Sequence, residues 1–152
     1  TTIACIIFIA CSKKNNSSLP PETFKEYFRG KLNGVVFNDT SLGSILSTPD
    51  NGLQINGYHA NGGISLWLKP YSGSTGENLV NQSNSAFVGN NGGLYYAGFI
   101  NGKIQGTGKI SILEITNNFI RGTFYFIAPA DSNYAILPTQ LVTEGEFKLK
   151  KP

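Results

Sequence analysis

From Phe24 onward the chain alternates between apolar and polar positions. Residues 120–128 (IRGTFYFIA) put Ile120, Phe124, Phe126 and Ala128 on one side and Arg121, Thr123 and Tyr125 on the other. That two-residue period belongs to a half-buried β-strand. The segment TEGEFKLK (143–150) repeats it, with Leu141, Phe147 and Leu149 predicted on the apolar side. Glu144, Glu146, Lys148 and Lys150 take its polar side. The same reading predicts strands near 26–32, 35–38, 53–58, 63–68, 86–89, 94–100 and 108–115. No stretch of ten residues carries helical spacing, and only PPETFKEYF (20–28) suggests a turn or two of helix.

The breaks between these runs are turn chemistry. Asn-Gly occurs at 33, 51, 56, 61, 91 and 101. The pair tolerates the positive φ angles of two-residue hairpins, and Asn33-Gly34, between RGKL and VVF, is the clearest case. Eight or nine short antiparallel strands with one buried face predict an all-β fold, an antiparallel β-sandwich. A closed antiparallel β-barrel is the alternative, because it buries the same face.

The N-terminus follows different rules. Residues 3–10 (IACIIFIA) are eight consecutive apolar residues, too short to span a bilayer and suited to the core of a secretion signal. They end in Phe8-Ile9-Ala10-Cys11, the order of a bacterial lipobox with a small residue before the cysteine. Residues 1–10 are therefore read as a signal peptide truncated at its start, and Cys11 as the lipidated residue. The polar, proline-terminated run 11–21 is read as a flexible linker, and 22–152 as a single β domain. Ten linker residues reach at most ~35 Å. The predicted location is the bacterial cell envelope, lipid-anchored to a membrane, most readily the outer membrane.

Composition narrows the chemistry. Only 14% of the 152 residues are charged and the net charge is +3, with Lys13 and Lys14 supplying two of those charges. A nucleic-acid binder would carry a basic patch, so no nucleic-acid partner is expected. Cys5 and Cys11 are the two cysteines, which leaves 22–152 without a thiol for disulfide, metal or nucleophile.

Acid–base chemistry needs paired groups of shifted pKa, and Glu144 with Glu146 is the one close acidic pair. Their position beside Lys148 and Lys150 predicts cross-strand ion pairing, with Arg121 or Lys109 as partners. His59 is the single histidine and falls beside a turn, where a solvent-exposed role is expected. Asp39, Asp50 and Asp131 are isolated, and the NGG runs at 61–63 and 91–93 open no helix. No metal, cofactor or enzymatic activity is expected.

One stretch departs from this plain picture. In ISLWL (64–68), Ile64, Leu66 and Leu68 claim the apolar face, which sends Trp67 outward with Ser65 and Lys69. Tyr58, Tyr71, Tyr95 and Tyr96 fall in neighbouring strands or turns among many asparagines. Aromatic faces beside amides suit sugar rings, whose C–H faces stack while their hydroxyls hydrogen-bond. Trp67, Tyr58, Tyr71, Tyr95 and Tyr96 are accordingly the candidate ligand surface.

The lipobox, the short linker, a first hairpin reading NGxxF, the segment GTFYFIA and the closing TEGEFKLK together resemble a family of small uncharacterised Bacteroidota lipoproteins. In that family the final strands read GTFxFxA and xTxGxFxV, and the first hairpin commonly ends in Trp where this chain has Phe37. The resemblance implies an all-β fold and a lipoprotein's location, and it carries over no chemistry. The functional expectation is a lipid-anchored envelope binding module with glycan as the best-motivated ligand. A structural or accessory subunit docking on a larger envelope complex by its strand edges is the alternative, and a hydrolase using Glu144 or Glu146 is a further rival.

Overall fold

Asn33 and Gly34 hold φ angles of 51° and 82°, the two positive values that a two-residue hairpin of the right twist requires. Strand β1 (Tyr27–Leu32) therefore turns back directly into β2 (Val35–Asp39). The computed structural model describes residues 24–40, 43–48, 51–90, 93–100, 102–130 and 138–151. The signal segment, Cys11, the linker, Asp50 and Asp131 lie outside the described residues.

The remaining strands are β3 (Ser44–Thr48), β4 (Gly52–His59), β5 (Gly62–Leu68), β6 (Gly76–Leu79), β7 (Ser85–Asn90), β8 (Gly93–Ile100), β9 (Lys103–Gln105), β10 (Thr107–Ile115), β11 (Phe119–Ala128) and β12 (Gln140–Lys150). They form two antiparallel six-stranded sheets, ordered β2-β1-β12-β11-β10-β6 and β3-β4-β5-β7-β8-β9. Neither sheet closes on itself, so the fold is the sandwich and not the barrel.

The two inner faces differ in character. The first sheet contributes Phe28, Phe37, Phe124, Phe126 and Phe147, with Phe28 and Phe124 stacked at 4.9 Å between centroids. The second sheet answers with aliphatic residues, among them Ile55, Ile64, Leu66, Leu68 and Val88. Close contact between the layers depends in part on a missing side chain. Gly57 lies in the interior of β4, and a Cβ there would sit 2.0 Å from the Phe28 ring. Asn56-Gly57, a turn dipeptide by composition, is thus a strand segment whose glycine makes room for a phenylalanine.

The structure corrects three further expectations. There are twelve strands among the described residues, not eight or nine. The unpredicted three, β3, β6 and β9, are all edge strands. An edge strand is short and buries little, so it leaves a weak alternation in the sequence. Residues 24–26 are irregular and Tyr27 and Phe28 already belong to β1, so 24–28 form no helical turn.

The third correction concerns β12. Thr143 and Glu144 together oppose Tyr125 of β11, a β-bulge with Glu144 at φ 51°. The extra residue reverses the facing of everything before it. Val142 is 0% exposed and Leu141 is 43% exposed, so Leu141 faces outward, opposite to Phe147 and Leu149. An unbroken period of two cannot register an inserted residue.

Candidate functional site

The outer faces of the two sheets carry opposite chemistries. On the first sheet Arg29 pairs with Glu146 at 2.5 Å and Lys31 with Glu144 at 2.7 Å. Lys109 pairs with Glu77 at 2.6 Å and Arg121 with Glu114 at 3.0 Å. Glu144 and Glu146 are therefore cross-strand ion-pair partners, but through β1 and not through Arg121 or Lys109. The hydrogen bond and charge of Glu146 hold the Arg29 guanidinium above its ordinary pKa, and Glu77 does the same for Lys109. A carboxylate committed to a guanidinium or ammonium on an open face lacks the setting of a glycosidase acid.

The second sheet is different. Alternation on its four central strands turns Gln54, Asn56 and Tyr58 of β4 outward, with Gly63, Ser65 and Trp67 of β5. Register extends the rows across β7 and β8. Asn56 pairs with Ser65, Ser65 with Phe87, and Phe87 with Tyr96. The next row is Tyr58, Gly63, Gly89 and Leu94. None of these residues is charged at neutral pH. Aromatic rings flank a polar ladder in which Gln54 donates to Asn56 Oδ1 at 2.9 Å, Ser65 donates to the same oxygen at 2.5 Å, and Asn56 donates to Ser44 at 3.3 Å. Gly63 and Gly89 leave a side-chain-free floor between Tyr58 and Leu94. Phe87, Leu94, Tyr95, Tyr96 and Ile100 line a shallow apolar depression of about 220 Å³.

Of the five sequence candidates, three share this face. Tyr58 is 48% exposed, and Trp67 and Tyr96 are half-buried. Trp67 thus takes the expected outward side, but it lies partly covered, with its indole N–H buried and unpartnered. Tyr95 is a correction. It neighbours Tyr96 on β8, so it must point the other way, and it is 4% exposed within the core. Tyr71 is corrected too, because its ring packs against the core and its hydroxyl is buried.

Sequence reasoning missed Phe87, Leu94 and Gln54. Residues 86–88 read Ala-Phe-Val, three apolar residues in a row, so period alone does not choose a facing. The register with Ser65 chooses it.

His59 ends β4 and is half-buried rather than solvent-exposed. Its Nε2 lies 3.1 Å from the Gly89 carbonyl and its Nδ1 accepts from the Asn61 backbone N–H at 3.4 Å. Both contacts fit the neutral ring protonated at Nε2. Burial lowers its pKa, and the bond to Gly89 opposes that only in part. Among the described residues no three His, Cys, Asp or Glu side chains cluster as metal ligands.

A family model described as Domain of unknown function (DUF6252) matches residues 25–149. No curated protein and no solved structure matches the chain.

Proposed function

The chain belongs to the family of the domain of unknown function DUF6252, so its role must be argued from its own surfaces, and we propose that it is a lipid-anchored, non-enzymatic binding module of the cell envelope that takes glycan on the outer face of its second sheet. The observation that carries the proposal is the contrast between the two outer faces. Four ion pairs cross the first, and the central rows of the second are uncharged, with aromatic rings beside amides. Sugar rings match the second, because they present apolar C–H faces for stacking and hydroxyls for amides. The lipobox at Cys11 and the resemblance to Bacteroidota lipoproteins support the location, with the polar run after Cys11 as tether.

Two experiments test the reading. Polysaccharide retention in affinity electrophoresis should be lost in Trp67→Ala, and also in Ser65→Glu, which places a charge at the centre of the face while keeping every ring. Retention unchanged in both variants would remove the platform. Cys11→Ser should move the protein out of the membrane fraction and abolish labelled fatty-acid incorporation; label retained in that variant would remove the anchor.

One observation favours a second reading, docking to an envelope partner. Strand β2 is an outer strand of the first sheet, and its Val35 and Val36 are 71% and 70% exposed. Apolar edge strands are templates for pairing with another chain. Val36→Lys should abolish such docking and leave retention on polysaccharide intact.

A further inference from the structure

The chain enters the first sheet at a corner that three stretches share. Phe24 stacks on Phe119, the first residue of β11, with ring centroids 5.4 Å apart. The Lys148 ammonium of β12 lies 4.5 Å from the Phe119 ring and 5.4 Å from the Phe24 ring. Lys150 stands opposite Phe119 in register, and its backbone N–H donates to Glu26 Oε1 at 2.5 Å. The Lys151 N–H donates to the Asn118 carbonyl at 2.9 Å, which ties the turn before β11 to the end of β12.

The cations of this corner differ from those on the rest of the sheet. Arg29, Lys31, Lys109 and Arg121 each hold a carboxylate. Lys25, Lys148, Lys150 and Lys151 take part in none of those pairs. Glu26 supplies an opposing carboxylate, but it is already bonded to a backbone N–H. Lys25, Lys150 and Lys151 are exposed, and Phe24 beside Lys25 is 42% exposed. Exposed lysines around an aromatic pair have the chemistry of an interfacial surface. The rings enter a headgroup layer while the ammonium groups meet lipid phosphates.

The place of the corner in the chain names its occupant. Phe24 lies thirteen residues beyond Cys11. An unstructured chain of that length averages ~20 Å end to end and cannot exceed ~45 Å. A lipid on Cys11 therefore holds this end of the domain close to the bilayer. We propose that the corner is a second membrane contact, in which Phe24 and Phe119 with Lys25, Lys148, Lys150 and Lys151 rest on an anionic lipid surface. The inference rests on the anchor read at Cys11. Each lysine brought to such a surface strengthens binding by about fivefold, and a tether makes even a weak contact intramolecular. An acidic polysaccharide also offers negative charge, but nothing brings it to the point where the tether enters. The contact uses no residue of the second sheet, whose outer face then points away from the lipid.

The test uses the lipidated protein reconstituted in vesicles of phosphatidylcholine alone, or of equimolar phosphatidylcholine and phosphatidylglycerol. Residues 22–152 contain no thiol and lipid blocks Cys11, so one introduced cysteine takes an environment-sensitive fluorophore. Asn117→Cys places it in the turn before β11, at an exposed side chain outside that turn's hydrogen bonds. Val35→Cys places it beside the Asn33-Gly34 turn, at the opposite end of β1 from Tyr27 and Lys148. On anionic vesicles the Asn117 label should shift to the emission of a less polar setting, and the Val35 label should not. Lys150→Glu with Lys151→Glu keeps both backbone N–H donors and should reduce the shifted fraction at least about fivefold, as should phosphatidylcholine alone. An unshifted Asn117 label on vesicles that retain the protein overturns the contact and leaves the anchor standing. Equal shifts at both positions overturn it, as does a full shift in the double Glu variant. A shift given by soluble heparin but not by anionic vesicles overturns it in favour of an acidic polymer. Absence of fatty acid from Cys11 refutes the anchor instead, and the label is then read in Cys11→Ser. There, a response to anionic over neutral vesicles upholds the corner, and no such preference refutes it as well.

Discussion

Strand β12 offers a test in which the smaller side chain matters more. Val142→Ala removes two carbons from a site that is 0% exposed. At about 0.8 kcal/mol per buried CH₂, with a further contribution from the unfilled cavity, the loss should be about 2–3 kcal/mol. Leu141→Ala removes three carbons, yet Leu141 stands on the outer face and is 43% exposed. Its loss should be about 1 kcal/mol or less. The ranking is thus the reverse of what side-chain size suggests, and the Glu144 bulge is the cause. Urea unfolding with unchanged m-values reads the difference, and Val142→Ala should lower Tm by roughly 4–12 °C. A second pair of variants probes the bulge itself. Glu144→Gly and Glu144→Val both lose the pair with Lys31, so that contribution cancels between them. Valine resists a φ of 51°, and Glu144→Val should be the less stable by about 1–2 kcal/mol despite its better strand propensity. If Leu141→Ala proves as costly as Val142→Ala, alternation runs unbroken and the bulge is wrong.

Three other outcomes follow from the packing. Phe147→Ala should cost about 3–5 kcal/mol in equilibrium unfolding, because a fully buried ring leaves a void. Lys148→Ala should cost about 0.5–1 kcal/mol, more than a bare surface lysine, because its ammonium lies 4.5 Å from the Phe119 ring and 5.4 Å from the Phe24 ring; equal losses for the two would refute the facing of β12. Gly57→Ala should destabilise by about 1–3 kcal/mol, since its methyl meets the Phe28 ring, and a melting point at or above the parent's would refute the close approach. His59, whose folded pKa lies below its ordinary 6.5, binds fewer protons folded than unfolded between those values. Stability contributed by the neutral ring is therefore present above pH 6.5 and declines as pH falls toward the folded pKa. His59→Gln should flatten that part of the stability–pH curve, and an unchanged slope would assign it to other groups.

How much was legible in advance differs by element. The central strands were readable because each buries one face and repeats its choice every two residues, as in β5 and β11. The outward facing of Trp67 followed from the same rule, since Ile64, Leu66 and Leu68 had taken the inner side. Asn33-Gly34 announced the first hairpin because few dipeptides accept two positive φ angles. The edge strands β3, β6 and β9 were silent, having little to bury. Tyr95 and Tyr96 looked equivalent by residue type, and only strand facing separated a core residue from a surface one.

By itself, then, the sequence determined local quantities: an all-β chain, the position of its clearest turn and the facing of its long strands, each set by neighbours a few residues apart. The tertiary structure decided everything that requires strands to meet. Register placed Phe87 and Tyr96 beside Ser65, brought Glu146 to Arg29 rather than Arg121, and set Gly57 against Phe28. An amide chain runs from Leu141 through Asn33 and Gln140 to Asn90, joining three strands distant in sequence. Those partnerships join residues many positions apart, so no short-range period encodes them. They exist only once loop closure has been offset by the burial of two opposed faces.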